Sequence, residues 1–284
     1  MAGGLFLLGW VAFLWFDPGP APYHYRLVEE GGVDKFPKLE LGPWSDLSIS
    51  KQEVHVEGME EPVASAYLAR RGNTKPVMLA WENHVGEPMV FLDSKLSELS
   101  ILASVIAKNM PKDATILTWW DTSRQIQILT GSETVFTSHL SEPLITPMPW
   151  RPRTEAIVKY ERDFWGSAPS EEEKRKFQRF ADALLAEPTE GAAILRELTG
   201  GREAYVVVHI SDLYKLGMMR PDRIGVAYKD FTVKGSGDVH GLNVMVKRWQ
   251  ADNKFTSHTV HGLSETNVRA YFLTDDKRVK TQLA

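Results

Sequence analysis

The chain has 284 residues, enough for one large domain or two modest ones with an ample core. At 43 % apolar and 25 % charged residues it has the composition of a globular protein, and a net charge of −4 with no long basic run leaves no electrostatic footprint for nucleic acid. Cysteine is absent, which excludes disulfides, thiol catalysis, iron–sulfur ligation and covalent haem attachment.

Residues 2–16 are an unbroken apolar run rich in Leu, Phe and Gly, with Trp10 and Trp15 placed as interface anchors. The run falls short of the roughly 20 residues that span a bilayer comfortably, and no Lys or Arg precedes it. As a cleaved signal peptide it would use Gly19-Pro20-Ala21 and leave Pro22 first in the mature chain, which signal peptidase disfavours. As a buried helix it would be apolar all round and end in a proline-rich stretch. The reading that fits best is an uncleaved anchor with a stiff spacer over residues 1–22. It puts a single pass in the cytoplasmic membrane and the bulk of the chain in the periplasm.

Residues 23–44 read as irregular, with Gly31-Gly32 and scattered prolines. Strands are expected over 53–57, 63–69 and 76–81. Asp93 or Ser94 caps a helix carrying Leu96, Leu99, Leu102, Val105 and Ile106, stopped by Pro111. A buried strand follows over 114–119, then a short helix over 122–129 closed by Gly131, then a strand at Val135 and Phe136. The proline-rich stretch 143–152 separates a first part, 23–152, from a second, 153–284, the two expected to pack as one extracytoplasmic unit.

In the second part Ser170 and Glu173 form a capping-box pattern before a helix with Phe177, Phe180, Leu184 and Leu185 on one face. Another helix over 190–198 ends at Gly200-Gly201. Residues 204–210 read as an apolar strand covered on both faces, and 224–231, 239–249 and 268–273 as further strands. The expected fold class is α/β: a mixed central sheet flanked by helices, an antiparallel strand-rich C-terminal extension, and one N-terminal anchor helix.

Two strand-to-helix corners carry the candidate site. The first is Trp119-Trp120-Asp121-Thr122, where Thr122 with Gln125 has capping-box spacing and Asp121 sits where a helix dipole favours negative charge. Capping alone accounts for Asp121 and Thr122 but not for two adjacent tryptophans, of which alternation puts at least one near a rim or a ligand. The second corner carries Asp212, Tyr214, Lys215 and Met219; Asp212 and Lys215 are three apart and can touch, as a weak surface pair beside a cap or around a ligand. Carboxyl ends of strands are where open α/β sheets place their ligands.

Together the corners resemble the soluble extracytoplasmic domain of the oligosaccharyltransferase catalytic subunit, with its Trp-Trp-Asp and D-x-x-K-x-x-x-M motifs. The resemblance implies a peptide-recognition pocket formed by Trp119, Trp120, Asp121, Lys215 and Met219. Thr122-Ser123 replaces that family's Tyr-Gly, and the membrane-helix bundle that carries its catalytic residues has no counterpart here. The resemblance therefore implies recognition without glycosyl transfer.

Residues 23–33, 119–131 and Ser138-His139-Leu140 are similar to HaoB, the hydroxylamine-oxidation accessory family of ammonia- and methane-oxidising bacteria. That resemblance implies a membrane-tethered periplasmic partner of hydroxylamine oxidoreductase, a multihaem enzyme, rather than the oxidase itself. His258 and His261 form the one close histidine pair, a spacing that points to opposite faces in a strand, and no metal or other cofactor is expected. The leading expectation is a non-catalytic recognition module for a protein partner; the rival is an oligosaccharyltransferase-related enzyme or a peptide- or saccharide-binding domain.

Overall fold

In a computed structural model of the chain, residues 19–85, 96–111, 113–140, 146–167, 169–232, 239–262 and 266–274 are described. They fall into two compact units, one ending at Val208 and the other starting at His209. Both are α/β, and they carry three separate sheets where the sequence suggested one mixed central sheet. The anchor stretch and the Asp93-Ser94 cap lie outside the described residues. Among the described residues, no helix is long and apolar enough to cross a membrane.

The first unit begins with an antiparallel sheet in the order β1-β2-β3-β4: Tyr23–Gly32, Ser48–Val56, Ala64–Arg70 and Val77–Asn83. Expecting residues 23–44 to be irregular was wrong for the first ten. Tyr23, Tyr25 and Leu27 alternate with His24 and Arg26, and pairing with β2 outweighs the terminal glycines. Three short 3-10 turns, Val33–Lys35, Pro37–Leu39 and Gly42–Trp44, bring Leu39 and Trp44 under the sheet.

Strand β3 explains the layering. All but its last residue are buried, because opposite faces of the sheet are both covered. Tyr67 and Ala69 join a core with Ile49 and Leu79 of the sheet, Leu99 and Ile106 of helix α1 (Leu96–Asn109), Ile126 of helix α2 (Trp120–Thr130), and Ile116. Ala66 and Leu68 face the other way, against Trp165 at the end of α3 (Thr154–Trp165).

A second, parallel sheet in the order β6-β5-β7 joins Glu133–Thr134, Thr115–Leu117 and Ala204–Val206. Strand β7 is not the doubly covered strand its apolar run suggested. It is a three-residue edge strand, with Tyr205 and Val206 39 % and 45 % exposed. Helices α4 (Glu171–Leu185) and α5 (Pro188–Leu198) precede it. The Ser170–Glu173 capping box is formed in both directions, and Phe177 and Phe180 are the buried face of α4.

The second unit holds helix α6 (Ile210–Met219), then strand β8 (Gly225–Thr232), helix α7 (Val239–Asp252), and strands β9 (Ser257–Gly262) and β10 (Asn267–Thr274). The sheet is antiparallel in the order β8-β10-β9. The strand expected over 239–249 is helix α7. Val244 and Val246 mimic a period of two, but Leu242, Val246 and Trp249 recur at helical spacing and pack on Phe231, Ala270 and Phe272. On the opposite sheet face Tyr214 of α6 packs at 5.0 Å on Tyr271. A Cβ at Gly217 would lie 2.1 Å from the side chain of Val226, so only glycine permits this approach of α6 to β8.

Candidate functional site

The first corner forms where β5 runs out. Trp119 is the N-cap residue of α2 in an extended conformation, so the helix starts two residues before Thr122 and the Thr122–Gln125 capping box does not form. Gln125 instead donates its side-chain amide to the Met78 carbonyl of β4 at 2.9 Å. The Asp121 carboxylate, in the first turn, accepts the Thr122 backbone N–H at 2.6 Å and its hydroxyl at 3.3 Å. Gly131, at φ 74°, closes the helix as expected.

The two tryptophans lie beyond the end of β5, at the N-cap and first position of α2, so the strand alternation expected for them does not apply. Trp119 is 1 % exposed and meets Phe177 of α4 edge-on at 5.0 Å. Trp120, Asp121 and Thr122 are half-buried. Trp120 meets the ring of His139 edge-on at 4.7 Å, and His139 in turn stacks on Trp165 at 4.5 Å with 14° between planes. Arg124, one turn after Trp120, is 5 % exposed. Its guanidinium lies 5.9 Å from the Trp165 ring and donates to the Pro76 carbonyl at 2.6 Å.

A buried polar chain continues from there. The Trp165 indole N–H donates to Glu161 Oε2 at 2.6 Å, and Glu161 Oε1 accepts the hydroxyls of Tyr23 at 2.6 Å and Tyr25 at 3.2 Å. The Tyr25 backbone N–H donates to the Tyr160 hydroxyl at 2.7 Å. Phe164 stacks on Tyr25 at 4.2 Å. Burial, followed by the Glu161 charge, drives the Tyr23 and Tyr25 hydroxyls well above the ordinary tyrosine range. Burial pulls Arg124 down to about 10, with Asp121 opposing the shift. Burial and then the Arg124 charge pull His139 down to about 3, so its imidazole is neutral in the folded chain at pH 7.

None of Arg124, His139, Glu161 and Trp165 was singled out as a site residue from the sequence. The available signal was the i, i+4 spacing of Glu161 and Trp165, two residue types that are costly to bury apart and that satisfy each other on one helix face. His139 is contributed by a loop whose placement no periodicity announces.

The second corner lies in the second unit. His209 is the N-cap of α6: its ring accepts the Ser211 backbone N–H at 3.2 Å, while Asp212 Oδ2 accepts the His209 backbone N–H at 2.9 Å. Lys215 Nζ is 3.5 Å from Asp212 Oδ1, and the two residues are 8 % and 1 % exposed. The pair is therefore buried, not the weak surface pair that spacing alone allowed, and Asp212 unites the cap and the ion pair. Tyr214, 1 % exposed, donates to the Tyr271 carbonyl at 3.3 Å. Met219 ends the helix half-buried. Trp119, Trp120, Asp121 and Thr122 thus gather at one corner of the first unit, and Asp212, Lys215 and Met219 lie on one helix of the second.

Among the described residues, no group of three or more His, Asp and Glu side chains is arranged to hold a metal ion. The His258 ring pairs with the Gln250 side-chain carbonyl and lies over Phe272.

The whole chain, residues 1–284, matches the family described as HaoA-associated protein HaoB. The chain belongs to that family. It is accordingly an accessory protein of hydroxylamine oxidation, from a family named for association with HaoA, the hydroxylamine oxidoreductase. No curated protein and no solved structure gives a match.

Proposed function

We propose that this protein is a membrane-tethered periplasmic recognition module that docks on hydroxylamine oxidoreductase and carries out no chemistry of its own. Membership of the HaoA-associated family over the full chain carries the reading. The apolar run over residues 2–16 supports the tether. Trp120, Asp121 and Thr122 are the half-buried members of the first corner and are assigned to the docking surface, with Trp119 as the buried support beneath them. In the second corner Met219 is assigned to contact and the buried Asp212–Lys215 pair to holding α6 in shape. A half-buried Trp beside a carboxylate suits a protein interface, where aromatic anchors dominate the binding energy.

The test is retention of HaoA by the full chain, solubilised from membranes in mild detergent. Trp120→Ala is expected to weaken retention at least 10-fold, about the 1.4 kcal/mol or more that truncating an interface anchor costs. Full retention by Trp120→Ala, with an unchanged melting temperature, removes this corner from the docking surface.

A further inference from the structure

Beside the first corner lies a cleft of about 470 Å³. The turn between β3 and β4 contributes Arg71, Thr74 and Lys75 to its wall, α2 contributes Arg124, and the following loop contributes Ser138 and His139. Three cations line it, and no carboxylate is among the lining residues. The neighbouring acids offset this only in part. Asp46 pairs with Arg71 at 2.8 Å on the surface, where side chains 37 % and 59 % exposed screen the attraction. Asp121 opposes, but does not cancel, the cost of burying the Arg124 charge.

Arg124 is the unusual member. A guanidinium carries five N–H donors in one plane, yet among the described residues that of Arg124 donates one hydrogen bond, to the Pro76 carbonyl. Trp165 backs it at 5.9 Å and fixes its position. A cation that is 5 % exposed, backed by an aromatic ring and opening on a cleft with two more cations, is set for more negative charge than Asp121 supplies. Its planar fork matches two oxygens of one anion. His139, on the same wall, adds no repulsion or attraction as a charge at neutral pH.

We propose that this cleft is a binding site for a small oxyanion, a phosphate or a carboxylate, held by Arg124 with Arg71 and Lys75 at the rim. The proposal goes beyond docking on HaoA, because the ligand is a free small molecule and Arg124, Arg71 and Lys75 are not among the residues assigned to the docking surface.

The probes are inorganic phosphate and succinate, each titrated against the full chain at an ionic strength held constant with sodium chloride, with thermal unfolding as the readout. One or both are expected to raise the melting temperature saturably, as a ligand that binds only the folded state must. The probe with the lower half-saturating concentration identifies the phosphate or the carboxylate as the ligand class. Arg124→Gln is expected to abolish the response. Because that buried substitution can also impair folding, the rim pair Arg71→Gln/Lys75→Gln is measured beside it. It should shift the half-saturating concentration upward several-fold. The absence of a saturable response to both probes overturns the proposal. So does a wild-type response in the rim double variant.

Discussion

Glu161 is the shared acceptor of one hydrogen-bond cluster in the first unit. Its two oxygens accept three side-chain donors, from Trp165, Tyr23 and Tyr25, and so tie α3 to the first strand of the sheet. Glu161→Ala leaves all three donors without that acceptor in a buried setting. It should lower stability by about 3 kcal/mol, measured by urea unfolding. His139 gives a second prediction, in pH. Its folded pKa lies near 3, below the ordinary value of about 6.5. Between those values the unfolded chain binds the proton and the folded chain does not. The stability it contributes is therefore complete above about pH 6.5 and is lost as the pH falls toward 3, at up to about 1.4 kcal/mol per pH unit. Denaturant unfolding at pH 7, 6 and 5 should show this slope, and His139→Phe should flatten it. The Tyr23 and Tyr25 partners of Glu161 were hidden in the sequence because they lie 138 and 136 residues away, and His139 was hidden because no spacing announces which rings a loop residue will meet.

At the scale of elements, what could be read was what depends on neighbours along the chain. The capping box of α4 is local and was visible in Ser170 and Glu173. Ser170→Ala should cost about 1 kcal/mol in equilibrium unfolding, the usual value of an N-cap. The closing Gly131 of α2 was likewise legible. Pairing was not. Strand β1 exists because β2 lies beside it, and helix α7 exists because Leu242, Val246 and Trp249 find Phe231 and Phe272. In α7 the β-branched Val244 and Val246 suggested a strand, and tertiary burial of the helical face prevailed. Helix α2 shows a third case. Trp119, not Thr122, caps it, since packing Trp119 against Phe177 holds the chain extended up to that residue.

At the scale of the whole molecule, composition excluded thiol-bound redox centres, and the residues at 23–33, 119–131 and 138–140 pointed to a family that the full-length match establishes. The site was only partly legible. The half-buried Trp120 and Asp121 were singled out, whereas the buried Arg124, His139 and Trp165 that adjoin them emerged only with the fold. The arrangement places a polar aromatic corner next to a basic cleft within one unit. Docking on HaoA is what the proposed function requires of the whole molecule. The most direct measurement is light scattering after size exclusion of the purified full chain in detergent mixed with purified HaoA. A co-eluting complex with a mass equal to the sum of its parts is expected, lost or weakened in Trp120→Ala. Separate elution of the two wild-type proteins at micromolar concentrations would contradict it.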